Sequence, residues 1–155
     1  MDGAVLILEP PIVLAYHEAG HAVTAEALVP GSVDLAVIYP WKFGVERRTR
    51  DTVACVNFTA SNCFTWREFV VVTYAGKWAD KLFGHPDEKR LSGDMYDVQR
   101  ALASGWVNKY QLGTLSKKSK RTVKKNKDVV ERLANALSCE MLLTGDQVRS
   151  IIRDA

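Results

Sequence analysis

The chain has 155 residues, 47% hydrophobic and 25% charged, which is the composition of an ordinary globular protein. This length predicts a single domain, residues 1–155, able to bury a core without disulfide or metal staples. A formal net charge of +3 does not mark the chain as a nucleic-acid binder, so we do not expect nucleic acid as a partner.

Three cysteines and one short apolar run bear on where the protein resides. The cysteines are odd in number and lack a C-x-x-C spacing, which favours free thiols in a reducing cytosol. The apolar run from Ala4 to Ala15 is interrupted and too short to span a bilayer. We therefore expect a soluble, cytoplasmic protein with no membrane segment.

The first half of the chain predicts one helix and two strands. Pro10 and Pro11 open a helix from about Ile12 to Leu28, because proline is well suited to the first turn. The strands are Val33–Tyr39 and Thr52–Phe58, separated by a basic and irregular stretch. Together they predict a small antiparallel sheet.

The second half predicts helices. Thr65 and Glu68 form a capping box, which opens a helix that ends near Gly84. The remaining predicted elements are a helix from Asp94 to about Val107, a Lys/Arg-rich loop, a helix from Thr122 to Leu143, and a short helix opened by Thr144 and Gln147. The expected fold class is therefore α+β and mainly α-helical.

The segment His17–His21 has the pattern H-E-x-x-H and lies within the first predicted helix. Residues four apart share one face of a helix, so the imidazoles of His17 and His21 can reach a single metal ion. Glu18 lies beside the open coordination position, where it can take a proton from metal-bound water. The pattern predicts a Zn²⁺ site with two histidine ligands and Glu18 as the general base.

A catalytic zinc ion requires a third protein ligand. The positions that extend a metzincin-type motif hold Thr24 and Ala27 here, and Glu26 is poorly placed on the same helix. The better candidates lie in the segment Leu91–Ala101, which contains two aspartates.

Four blocks, in this order, resemble the peptidase domain of FtsH-type ATP-dependent zinc metalloproteases. The blocks are A-Y-H-E-A-G-H-A at 15–22, A-G-K-W-A-D-K-L-F-G at 75–84, G-D-M-Y-D-V-Q-R-A at 93–101 and L-T-G-D-Q-V-R-S-I-I at 143–152. The resemblance implies a zinc-peptidase fold with an HExxH helix, and a hydrolase activity. It also implies that Asp97 is the third metal ligand beside His17 and His21.

The chain departs from the family pattern at several positions. Tyr96 replaces the usual Asn, and Asp94 adds an acid one turn before Asp97, which makes Asp94 a rival third ligand. Asp80 stands where the family has Glu and could orient a ligand histidine. The stretch from Gly105 to Lys127 is shorter than in the family, which predicts a shortened C-terminal helical part.

No P-loop, ATPase domain or membrane anchor is found in the sequence, so we expect a stand-alone peptidase domain. The leading hypothesis is a zinc metalloendopeptidase that cleaves flexible or unfolded polypeptides by metal-activated water. Whether a separate ATPase or adaptor protein delivers the substrate is left open. The substrate is expected to add a strand to the edge formed by Val33–Tyr39. The alternative is a non-catalytic or regulatory zinc-binding module that retains the peptidase fold.

The basic run from Lys117 to Lys127 lacks interleaved aromatic residues. We interpret it as a solvated face, with docking of an acidic partner or of nucleic-acid phosphates as the alternative.

Overall fold

A computed structural model of the chain describes residues 10–46, 52–60, 63–85 and 88–154. This part of the chain forms six α-helices, three strands and one short 3₁₀ helix at Pro40–Phe43. The elements are α1 (Pro11–Leu28), β1 (Val33–Ile38), β2 (Ala54–Phe58), α2 (Trp66–Leu82), α3 (Glu88–Ala103), α4 (Lys109–Lys125), α5 (Lys127–Glu140), β3 (Leu142–Thr144) and α6 (Gly145–Arg153). The fold is α+β and mainly helical, as the sequence predicts.

Helix α1 is the central element of the core. It begins with a proline in its first turn, as predicted, and packs against α2, α5 and the sheet. Its close approach to α2 depends on small residues, because a Cβ atom at Gly20 would lie 2.7 Å from both the Ala75 carbonyl oxygen and the Ala79 Cβ. The first two helices therefore pack almost backbone to backbone where the H-E-x-x-H segment lies.

The three strands form an antiparallel sheet in the order β2-β1-β3. Val37 of β1 pairs with Cys55 on one side and with Leu142 on the other. The predicted antiparallel sheet is confirmed, but Val33–Tyr39 is not an edge. The expectation that substrate adds a strand to it is wrong, since β3 occupies that side.

Helices α2 and α6 begin where their capping boxes predict. The hydroxyl of Thr65 accepts a hydrogen bond from the Glu68 backbone N–H, and the Glu68 carboxylate accepts one from the Thr65 N–H. Thr144 and Gln147 form the same reciprocal pair at the start of α6. Both predicted capping boxes are confirmed.

Three predictions about the helices of the second half are wrong. Helix α3 begins at Glu88, six residues before the predicted start at Asp94, so Gly93 lies within the helix. The predicted Lys/Arg-rich loop is helix α4, because lysine and arginine are good helix formers and the Asn108 side chain caps the first turn. Asn126 then separates α4 from α5, in place of one helix from Thr122 to Leu143.

The described residues also include the helices and cysteines on which two expectations rest. None of their helices is both long and apolar enough to cross a membrane. All three cysteines are free thiols.

Candidate metal centre

Helix α1 places His17 and His21 one turn apart on the same face, as their i, i+4 spacing predicts. Their rings meet edge to face, with centroids 4.7 Å apart, and their Nε2 atoms are separated by 3.1 Å. The two Nε2 atoms therefore face the same small volume.

The opposite ring nitrogens are engaged with acceptors from α2. The Nδ1 atom of His17 lies 2.7 Å from Oδ2 of Asp80, and Nδ1 of His21 lies 2.7 Å from the carbonyl oxygen of Val72. A carbonyl and a carboxylate can only accept, so each Nδ1 carries the proton that it donates. In the neutral imidazoles, both Nε2 atoms consequently present a lone pair to the shared volume.

Asp94 of α3 completes the group. Its Oδ2 lies 3.2 Å from Nε2 of His17 and its Oδ1 lies 3.5 Å from Nε2 of His21. One potential ligand atom from each of the three residues lies within 4.8 Å of the other two. The Oδ2 atom is buried, and a cation held between it and Nε2 of His17 would replace the direct contact of these two atoms.

Asp97, the third ligand implied by the family resemblance, does not join this group. Its Oδ1 lies 3.5 Å from Nη1 of Arg100, one turn further along α3. The structure thus brings together His17, His21 and Asp94, and the geometry favours Asp94 over Asp97. The physical reason is the helix start at Glu88, which leaves Asp94 inside α3 and level with the imidazole pair.

Glu18 is buried beside the imidazoles, with 7% of its surface exposed. Burial raises the pKa of its carboxyl above the ordinary value, and the opposing effect of the two histidines is smaller. A carboxylate with a raised pKa is a better proton acceptor near neutral pH. Glu18 does not belong to the three-residue ligand group, which leaves its carboxylate available for proton transfer.

The electrostatics of the group favour a cation. Burial lowers the pKa of His17, but its hydrogen bonds to Asp80 and Asp94 outweigh this effect and raise the pKa to about 10. Burial raises the pKa of Asp94, but the two imidazoles outweigh it and hold that pKa below its usual range. Without a metal, the group therefore holds a proton at neutral pH, and a divalent ion could take its place.

Gly76 forms the wall of the group on the α2 side. A Cβ atom at this position would lie 2.5 Å from the Nε2 atoms of both His17 and His21. Glycine is therefore needed for α2 to approach the imidazoles. Sequence reasoning assigned no role to Gly76, although a glycine in the middle of a helix costs about 1 kcal/mol and so suggests a packing reason.

Cys55 of β2 is a second residue that sequence reasoning did not connect with the site. Burial, followed by the negative charge of Glu18, raises the pKa of its thiol to about 12. The effect of the Glu18 charge on this thiol reflects how close β2 lies to Glu18. No signal in the sequence pointed to this proximity.

Asp80 takes the position expected for a residue that orients a ligand histidine, while Glu26 has a structural role. The Glu26 carboxylate accepts hydrogen bonds from the backbone N–H groups of Gly31 and Val33 and from Arg149. It fixes the turn between α1 and β1 and is not a member of the ligand group.

The chain matches no protein-family model and no curated protein. The resemblance to FtsH-type peptidases consequently stays a prediction that rests on the four blocks of sequence.

Proposed function

We propose that this chain is a zinc-dependent endopeptidase with an FtsH-like peptidase fold. The observation that carries the proposal is the convergence of His17, His21 and Asp94 beside a buried carboxylate, Glu18, that is not one of the ligands. Two imidazole nitrogens and one carboxylate oxygen form a typical protein ligand set for catalytic zinc.

The hydrogen bonds on Nδ1 support the fit of this ligand set to a metal. Asp80 and the Val72 carbonyl hold both histidines in the tautomer whose Nε2 is a ligand. Asp80 adds negative charge behind His17, which increases the basicity of its Nε2. We propose His17, His21 and Asp94 as the metal ligands and Asp80 as a positioning residue.

A zinc ion bound there would lower the pKa of a water molecule and polarise a peptide carbonyl. Glu18 would accept the proton from that water and later transfer it to the departing amine. Its burial and raised pKa suit the first step, because a carboxylate whose pKa lies above the ordinary value accepts a proton more readily.

Burial of the site also bears on the substrate class. A peptide carbonyl must reach a point next to Glu18, which is almost fully enclosed. A segment fixed in a folded domain is poorly able to enter, whereas a flexible or locally unfolded segment can do so. We therefore propose flexible or unfolded polypeptides as substrates.

The test combines metal analysis with degradation of an unfolded protein such as casein, for the wild type and for Glu18→Gln. We expect about one zinc ion per chain in both, with hydrolysis reduced by roughly 10²- to 10⁴-fold in the variant. Glu140→Gln, the same chemical change at the exposed end of α5, is the matched control and should retain full activity.

Two results would count against the proposal. Full activity of Glu18→Gln would remove the assigned base. Stoichiometric zinc without any hydrolysis by the wild type would favour the alternative of a regulatory zinc-binding module.

A further inference from the structure

Helix α4 concentrates positive charge on one surface. It contains seven lysine and arginine residues and no acidic residue, so the rest of the chain has fourteen basic against eighteen acidic residues. The small net charge of the chain therefore conceals a strongly uneven distribution. Six of these cations lie in the last nine residues of α4, and all six are exposed: Lys117, Lys118, Lys120, Arg121, Lys124 and Lys125.

Some of these cations lie on the same face of α4 as an exposed aromatic residue. Leu115, Ser119 and Val123 form the buried face of α4. On the opposite face, Tyr110 lies in line with Lys117, Arg121 and Lys124, at spacings of seven, four and three residues. This row, here called the basic stripe, extends over about 21 Å at 1.5 Å per residue.

Helix α2 extends the charged surface sideways. The ammonium groups of Lys77, Lys81 and Lys120 lie 5.2, 5.0 and 5.0 Å from the centroid of the Trp78 ring. Three like charges are thus held around one ring, where an anion would relieve their mutual repulsion. Gly76 and Asp80 face the histidines from another side of α2, so this surface is separate from the metal centre.

The amino-terminal end of the stripe offers a place for a flat ring. Tyr110 is 82% exposed, and Trp106, in the preceding turn, is 74% exposed. A shallow pocket of about 300 Å³ opens beside Tyr110 and is also lined by Arg67, Asn108 and Gln111. Aromatic faces next to a track of cations are the combination used to bind single strands, since bases stack while the cations contact phosphates.

We propose that the basic stripe and the Tyr110 pocket form a binding site for single-stranded nucleic acid. The phosphates would follow Lys117, Arg121 and Lys124, and a base would stack on Tyr110. An acidic polypeptide fits less well, because Val123, the one aliphatic residue between the cations of the stripe, is buried and cannot form the apolar centre of a protein interface. This proposal departs from the expectation, drawn from net charge, that nucleic acid is not a partner, because it rests on the uneven distribution of the charge.

The primary assay is fluorescence anisotropy of a labelled 20-residue oligothymidylate, titrated with the full chain between 25 and 300 mM KCl. With three phosphate contacts, one for each cation of the stripe, the logarithm of the affinity should fall with the logarithm of the salt concentration with a slope of about −2. Absence of binding at 25 mM KCl, or a slope near zero, would overturn the proposal.

A pair of charge-matched variants tests the location. Lys117→Glu/Arg121→Glu should weaken binding by about 30-fold or more at 50 mM KCl, as expected for loss of two phosphate contacts and their replacement by repulsion. Lys42→Glu/Arg153→Glu changes the net charge equally but outside the stripe, and should weaken binding by less than about threefold. Equal losses in the two variants would rule out the stripe, provided that circular dichroism shows both to be folded.

Two further comparisons identify the ligand class. Tyr110→Ala should weaken binding of the single strand by about tenfold and leave binding of a duplex of the same length nearly unchanged. Polyglutamate should compete poorly at equal charge concentration. Effective competition by polyglutamate would instead indicate an acidic polypeptide partner and refute the nucleic-acid assignment.

This proposal is independent of the peptidase proposal. Glu18→Gln should bind the oligonucleotide as the wild type does, and Lys117→Glu/Arg121→Glu should retain its zinc and its activity on casein. Each proposal can therefore fail without the other.

Discussion

Two substitutions on α3 test which aspartate is the third ligand of the proposed zinc site. Asp94→Asn keeps the size of the side chain but removes the charge that lies 3.2 and 3.5 Å from the two Nε2 atoms. A structural zinc site of four ligands contributes roughly 10–16 kcal/mol, or about 2.5–4 kcal/mol per ligand. Loss of one ligand should therefore raise the Kd for zinc by about 70-fold or more.

Asp97→Asn is the matched control, with the same chemistry one turn away on α3. Its carboxylate pairs with Arg100, whose side chain is half exposed, and such a pair contributes at most about 1 kcal/mol to folding. We expect Asp97→Asn to change the Kd for zinc by less than about tenfold. The assay is competition with a chromophoric zinc chelator, at fixed pH and with folding checked by circular dichroism.

The opposite result would refute the geometric reasoning. If Asp97→Asn loses zinc while Asp94→Asn retains it, the ligand set implied by the FtsH resemblance is correct. Equal retention of zinc in both variants would mean that neither aspartate is a ligand.

Three further predictions concern the surroundings of the ligands. Asp80→Asn should weaken zinc binding by about 10- to 100-fold, because the Nδ1 proton of His17 loses its charged acceptor. Unchanged affinity for zinc would exclude a positioning role for Asp80. At pH 7, zinc binding should release about one proton or more, since His17 has a pKa of about 10 without metal. Calorimetry in buffers of different ionisation enthalpy counts the released protons, and a count of zero would contradict the assignment of His17 as a ligand. Gly76→Ala should lower the free energy of unfolding by about 1–3 kcal/mol and disrupt the zinc site, because the added Cβ would meet both imidazoles. Gly113→Ala should stabilise α4, because a Cβ there would meet no atom within 4 Å. Equal melting temperatures for the two variants would remove the steric argument.

Elements with local signals could be predicted from the sequence, and elements that depend on context could not. The proline at the start of α1 and the capping box at Thr65 act within a few residues, so both helices begin close to their predicted positions. Strand β3 has only three residues and exists because β1 pairs with it, which no local pattern could reveal. Helix α4 was predicted as a loop because its charge was weighed more heavily than the high helix propensity of lysine and arginine.

The same distinction between local and contextual signals applies to the candidate metal centre. The spacing of His17 and His21 predicted their common face, since that relation is internal to one helix. The choice between Asp94 and Asp97 depends on where α3 begins and how it meets α1, so the sequence left both open. The need for Gly76 also arises only when two helices are packed together.

The spacing between α1 and α2 is what turns an H-E-x-x-H segment into a candidate metal site. With Gly20 and Gly76 at the contact, α2 comes near enough for Asp80 and the Val72 carbonyl to accept the Nδ1 protons of the two histidines. Those two acceptors determine which nitrogen of each ring keeps a lone pair, and hence that both Nε2 atoms face Asp94. A wider spacing would leave the histidines free to rotate or change tautomer, and the same five residues would then bind a metal ion far more weakly.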